Sequence, residues 1–512
     1  MEEDLQYVLK QHFNNRKVSD LSSVHKLTRF KQQQLILERF GYHSCGTEER
    51  KQIKKKACQA ITVSGNKTKG APYMASINEK TMDFNTRVKV DFDGGDLTND
   101  GGMLMYKEFN DKIGLSSMIN ERVHIKDDKS HHLHENNDVI MQKIYQNVAG
   151  YHVDDNADDL KNDPVLTTIL EKDVLASQPT TSRVNEKLDK DTMKQFQDVN
   201  QVMIDRYHEL EAPKKLVLDI DSSNSSTYGD QYGSDYNSHY GENGYHPIFM
   251  FDGTTGDCIK ANLRSGNVYT SRQIVAFIGA ELKSFRKKYP TIDIILRGDS
   301  GFAMPELYKL CDTLGVDFVI RLKSNKRLQK ISNFFIEEYA SKNDVIKGSH
   351  VFYKECTYQA GSWDKEQKVV IKMEKPEDQL LFIPTFVVTT LEKSAKKTIH
   401  FYAKRGTTEN YIKEGKLGFA FGKMSSTAFI VNANKLQLAI LAYNLHNGLR
   451  RFCFPKKMKK HQIQKVRLVM VKIAGKITRS GRYIHFKLSS SSLYKKAFFS
   501  TLGRIQRLPG FG

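Results

Sequence analysis

The chain is poor in cysteine, holds one tryptophan, and has no acidic residue after Glu414. Each scarcity excludes something. Six cysteines in 512 residues, at positions 45, 58, 258, 311, 356 and 453, are too scattered for a disulfide scaffold. No Cys-x-x-Cys pair offers half of a zinc finger, and the pattern suits a reducing compartment. No run approaches the roughly 20 apolar residues of a membrane span. The opening stretch from Met1 to Phe13 lacks the apolar centre of a secretory leader. A cytoplasmic protein without a membrane partner is therefore expected. No G-x-x-x-x-G-K-[ST] motif occurs, so an ATP-driven helper activity finds no support.

What is present is enough apolar residue, 39%, for packed cores. The length allows about three domains at roughly 150 residues each. The charge is strongly segregated. Of 79 Lys and Arg, 20 lie in residues 415–512, and the remaining 59 face all 59 Asp and Glu. The whole net charge of +20 therefore sits in the last 98 residues. Such a surplus points to a polyanion, because neutralising phosphates releases counterions irrespective of sequence. In that stretch the charges alternate with apolar residues, as in Val466–Ile473 and Arg482–Leu488, so a folded basic surface is expected rather than a solvated tail.

Residues 1–85 read as a basic, partly flexible extension. Residues 86–210 read as mostly helical and DNA-binding. There the run Val139–Gly150 has helical spacing and stops at a glycine. Further on, Ser177-Gln178-Pro179-Thr180 opens a polar helix whose start could lie on a nucleic-acid backbone. The triplet His131-His132-x-His134 lies in a polar run with no completing ligand, and reads as a solvated loop.

Chemistry begins at residue 214. Lys214–Ser223 is an apolar strand ending in carboxylates, with Asp219 and Asp221 on one face by period-2 alternation. Strands at 245–251 and 258–263 follow, then a helix near 270–288. A second acidic strand end comes at Ile292–Asp299, with a helix opened by Pro305 and a strand at 317–322 beyond it. Three antiparallel-type strands, helix, strand, helix, strand is the order of a ribonuclease-H-like core. Neighbouring strands there present carboxylates to two divalent ions. The fold class expected is α/β: a ribonuclease-H-like mixed sheet with flanking helices, a β-rich insertion in the core, and a mostly helical N-terminal domain.

A third acid follows a strand-like run, Thr398–Tyr402. Tyr402, Arg405, Glu409 and Lys416 are spaced Y-x2-R-x3-E-x6-K. Glu409 and Lys416 stand two helical turns apart on one face, with Thr407 or Thr408 as the candidate N-cap. Glu414 is a competing acid well round that helix. This signature resembles that of the IS4-like DDE transposases. The branch resembled is the IS1380 family, on Leu218–Ser223, Gly244–Pro247, Leu296–Phe302, Val319–Lys323, Arg405–Asn410 and Leu441–Leu445. The likeness spans about 86–500.

The resemblance implies a bacterial, nucleoid-associated DNA transposase. Asp221, Asp299 and Glu409 would bind two Mg²⁺, with Mn²⁺ able to substitute, and Asp219 rivals Asp221 as the first ligand. DNA contacts are implied for Tyr402, Arg405, Lys416, Arg297 and Lys323. Trp363, in the insertion, would stack a flipped base. The partners would be double-stranded DNA, as terminal inverted repeats and target, and a second copy of the chain. The divisions expected are 1–85, 86–210, a core over 211–325, the insertion over 326–398, the third-acid helix over 399–450, and a basic DNA-binding region over 451–512. Two other readings stay open: a nuclease of the same fold that cuts without joining, and a decayed relative that only binds DNA.

Overall fold

The computed structural model describes residues 80–127, 133–345 and 347–511. The extension expected over 1–85, and His131 and His132, therefore lie almost wholly outside the described residues. The unit ending at Gly94 contributes an antiparallel hairpin of Lys80–Met82 and Asn85–Val90. The second unit, from Gly95 onward, carries everything below.

Its first part is helical, including α1 (Asn136–Ala149), α2 (Gln178–Lys187) and α3 (Lys190–Leu210). Helix α1 ends at Gly150, whose φ of 97° is a left-handed C-cap that glycine adopts without a Cβ penalty. A capping box of Asp189 and Thr192 opens α3.

The central sheet begins with β1 (Lys215–Ser222), apolar and buried on both faces as a middle strand must be. Strands β2 (Ile248–Asp252) and β3 (Cys258–Asn262) pair antiparallel beyond it, in that order. Helix α4 (Ile274–Lys288) crosses over to β4 (Asp293–Gly298), parallel to β1. Helix α5 (Pro305–Leu314) leads to β5 (Asp317–Leu322), parallel to β4.

Residues 326–398 were expected to be β-rich, but they open with α6 (Lys326–Ala340). Strands β6 (His350–Tyr358), β7 (Gln367–Lys375) and β8 (Ile383–Thr389) then pair antiparallel and dock β8 on β5. They extend the central sheet, giving eight strands in the order β6-β7-β8-β5-β4-β1-β2-β3.

The run Thr398–Tyr402, read as a strand, is instead part of helix α7 (Ala395–Ala403). Its β-branched residues suggested extension. The deciding pattern is Ala395, Ile399 and Tyr402 at helical spacing, which seats one face on Ile295, Val319, Val370 and Val387 of the sheet. Helix α8 (Gly406–Phe419) follows.

Helix α9 (Phe429–Cys453) is buried along most of its 25 residues and binds the helical part to the sheet. Asn444 is fully paired inside that contact. It donates to Asn200 Oδ1 at 2.7 Å and to the Cys258 carbonyl at 2.8 Å, and accepts from the Cys258 amide at 2.9 Å. The chain ends with a hairpin, β9 (Gly475–Arg479) and β10 (Ile484–Leu488), and helix α10 (Lys495–Gln506). Among the described residues no helix is long and apolar enough to cross a membrane.

Two histidines in these helices are kept neutral by burial. His446 on α9, bonded to the Tyr106 hydroxyl at 2.8 Å, is held well below the usual imidazole range. His208 on α3, bonded to the Tyr289 hydroxyl, is pushed down to about 4. A depressed histidine contributes stability that is complete above its unfolded value near 6.5 and is lost as pH falls. For His208 that loss should be about 2 kcal/mol between pH 6.5 and 5. Urea unfolding at both pH values should show the loss, and His208→Gln should lessen it.

Candidate functional site

The register of the two parallel strands sets the geometry. Asp219 on β1 lies opposite Arg297 on β4. Counting two residues onward along each strand brings Asp221 and Asp299 to the same edge of the sheet. Asp221 accepts from the Ser222 amide at 2.9 Å, and Asp299 caps the following turn by accepting from the Gly301 amide at 2.8 Å. Both line a cleft of about 680 Å³, and Glu409 of α8 lines it too. Glu409 itself is largely exposed, whereas Asp221 is buried.

Asp219 has another use. Arg297 holds it bidentately, Nε to Oδ1 at 2.5 Å and Nη2 to Oδ2 at 2.7 Å. Thr408 donates its hydroxyl to the same carboxylate at 2.7 Å, and Arg297 Nη1 donates to the Phe401 carbonyl at 2.7 Å. The knot ties β1 and β4 to the junction of α7 and α8. Gly253 closes over it, since a Cβ there would stand 2.2 Å from Asp219 Oδ2.

Two expectations are corrected here. Asp219 is completely buried in an ion pair, so it is no rival ligand, and Arg297, 2% exposed, cannot reach DNA. A third follows from the same contact: neither Thr407 nor Thr408 caps α8, because Arg405 occupies the N-cap position and the Thr408 hydroxyl is spent on Asp219.

Arg405 sits among the acids. Its Nη2 is 3.0 Å from Asp221 Oδ1, and its Nη1 donates to Glu409 Oε1 at 2.8 Å. Asp221 is pushed up to about 6, chiefly by burial, with Asp299 and Glu409 adding like-charge repulsion and Arg405 opposing. The buried Nε of Arg405 has no partner.

Lys416 donates to Ser223 Oγ at 3.1 Å and to the Asn224 carbonyl, pinning the chain just beyond β1. Tyr402 is half-buried against the sheet. Glu414, the competing acid, is buried against Arg450 and the Ile463 amide, away from the cleft. Lys323 lines the cleft and donates to the Tyr269 hydroxyl at 3.2 Å.

Trp363 does not line the cleft. It is buried edge-on against Tyr308 and Tyr358, at ring distances of 5.4 Å each, which makes it core rather than a platform for a base. The aromatic wall comes from elsewhere, from Tyr236, Tyr240 and Tyr269 with His239 and His246. Sequence reading passed over these. The available signal was five tyrosines between 228 and 245, a density that turn-rich text did not explain.

Among the described residues no three His, Cys, Asp or Glu side chains converge closely enough to hold a metal ion. The donor set nonetheless fits a hard divalent cation. Asp221, Asp299 and Glu409 offer only oxygens, share one cleft, and are near enough to raise the Asp221 pKa. In this arrangement the positive charge between Asp221 and Glu409 is the Arg405 guanidinium.

Comparison with known proteins gives two findings. The profile of the transposase DDE domain, group 1, matches residues 80–510. Among solved structures, the chain is similar to one in the piggyBac transposase synaptic complex with hairpin DNA, at 12% identity and a TM-score of 0.38. That likeness covers 73% of this chain and 80% of the other. No curated protein matches.

Proposed function

The chain belongs to the transposases with a DDE domain of group 1, and on that premise we propose that it cuts DNA at the ends of an insertion sequence and joins them to target DNA. The observation that supports this best is the single cleft lined by Asp221, Asp299 and Glu409, delivered by β1, β4 and α8. The order β3-β2-β1-β4-β5, in which β2 alone runs against the other four strands, supports a ribonuclease-H-like core. The motif text quoted above supports placement in the IS1380 branch.

Asp221, Asp299 and Glu409 would hold two divalent ions, Mg²⁺ with Mn²⁺ as a substitute, whose chemistry is to acidify water and clamp entering and leaving oxygens. The remaining work falls to this chain's own side chains. Arg405 and Lys323, which both line the cleft, would hold phosphates, the first as a fork and the second as a point charge. Tyr236 and Tyr269, more than half exposed, offer faces on which unpaired bases can stack. Lys416 keeps the loop after β1 in place, and Tyr402 packs against the sheet. Because both ends of an element must be cut in concert, the working form is a homodimer on DNA.

The deciding experiment presents purified protein and Mg²⁺ with labelled duplex carrying the repeats that flank its own gene. Nicks at the repeat ends followed by joined product are expected. Nicks without joining would make the protein a nuclease. Binding without nicks in Mg²⁺ or Mn²⁺ would leave a DNA-binding relative.

A further inference from the structure

The hairpin of β9 and β10 is not used by the cleft and shares no residue with it. It belongs to a three-stranded sheet whose third strand stops at its base, leaving a two-stranded tip with Thr478 opposite His485 and Arg479 opposite Ile484. Its base is anchored: Ile477 is buried, and β9 pairs with the short strand Leu97–Thr98. From Arg479 to His485 every residue is exposed, Tyr483 at 64% and Ile484 at 47%. An apolar ribbon tip left in water would be a liability, but this one is studded with cations.

Lys476, Arg479, Arg482 and Lys487 are all exposed and, among the described residues, none has an ion-pair partner. That sets them apart from Lys472 at the foot of the ribbon, whose charge is taken by Asp100 at 2.7 Å. No acid lies within 415–512 to neutralise the group locally. One face of the ribbon looks into a second, larger groove of about 1280 Å³, which Arg479 and Ile484 line together with Arg183, Lys187 and Lys161 and with the acids Asp127, Glu171, Asp173 and Glu186.

We propose that this ribbon is a separate DNA-gripping element, which inserts into the major groove of a duplex while Arg479, Arg482 and Lys487 contact its phosphates. Three properties select that occupant. The first is width, since a two-stranded β-ribbon fits the major groove of B-form DNA and not the deep, narrow one of A-form RNA. The second is charge, unpaired and of one sign. The third is the exposed tip, where Tyr483 and Ile484 supply apolar contact for base edges once water is displaced. The inference rests on the reading of DNA as substrate but does not involve the cleft. A grip outside the cleft would fix the register of the duplex, and cutting specificity would then be inherited from where the ribbon holds.

The test compares wild-type protein with the triple variant Arg479→Ala, Arg482→Ala, Lys487→Ala by fluorescence anisotropy in EDTA, so that no cutting intervenes. Probes are a duplex carrying the flanking repeats, a scrambled duplex, and double-stranded RNA, each from 50 to 200 mM salt. Losing three phosphate contacts should flatten the slope of log affinity against log salt by about 2.7, so that wild type loses about 40-fold more affinity across that range than the variant does. Thermal melting should leave the variant within a degree or two of wild type, since these side chains are exposed and, among the described residues, form no ion pair. Equal slopes for the two proteins on DNA would overturn the assignment, as would a preference for double-stranded RNA. If wild type binds no duplex at all, the reading of DNA as substrate fails with it. Wild-type binding with equal slopes sinks only the ribbon.

Discussion

Asp221→Asn, Asp299→Asn and Glu409→Gln should each lower the rate of cutting at the repeat ends by three orders of magnitude or more while leaving duplex binding within a few-fold of wild type. The substitutions keep side-chain size and remove the charge that divalent ions require. A loss of several kcal/mol of transition-state stabilisation corresponds to factors of this size. The three positions should not behave alike in stability. Asp221 is buried and disfavoured as an anion, with its pKa pushed up to about 6, so Asp221→Asn removes an unfavourable charge at neutral pH. Glu409 is largely exposed, so Glu409→Gln should barely change unfolding. Single-turnover cleavage in Mg²⁺, with anisotropy on the same duplex, reads both halves. Cutting within tenfold of wild type for any one variant would remove that acid from the catalytic set.

The second large effect belongs to residues that never meet DNA. Asp219→Ala should cost roughly 3–5 kcal/mol, because it strands the Arg297 guanidinium in the interior without its carboxylate. Replacing both partners, Asp219→Leu with Arg297→Met, should recover most of that loss, since apolar groups of similar volume need no desolvation offset. Recovery of fold should not mean recovery of cutting. The double variant loses the bonds to the Phe401 carbonyl and the Thr408 hydroxyl, which hold the start of α8 in register with β1 and β4. Denaturant unfolding should show the double variant near wild type, with binding intact and cutting reduced at least tenfold. If the double variant cuts normally, the knot serves stability alone.

That knot also shows where sequence reading ends. The apolar run 216–220, the strand-helix-strand text after it, and helix α1 with its terminal glycine were all legible, because period and capping are local properties. Asp219 stood as a rival to Asp221, since alternation puts both on one face and says nothing of what faces them. Their fates diverge because the cross-strand neighbour of Asp219 is Arg297, a pairing set by register between strands 78 residues apart. Arg297 was misplaced for the same reason: an arginine at an acidic strand end looks like a phosphate contact until a buried carboxylate is found opposite. Trp363 was misjudged through the resemblance, as only its surroundings, Tyr308 and Tyr358, reveal a core position. The cleft's tyrosines were missed because their spacing of four suggested no strand, and the segment folds as a small three-stranded sheet of Ser225–Ser226, Asp235–Asn237 and Glu242–Tyr245.

The interleaved order of the central sheet has a consequence for synthesis. Strand β1 is made before β2 and β4 but must lie between them, and its site is incomplete until α8, almost 190 residues later, closes on Asp219 through Thr408. Helix α8 in turn is held by residues made later still, Arg450 on Glu414 and Arg467 on the Gly418 carbonyl. Such long-range closure is slow, and it runs from the first-made end only after the last-made end has left the ribosome. A chain that stops between Glu409 and Arg450 therefore carries Asp221, Asp299 and Glu409 in sequence but lacks the contacts that hold α8 in place.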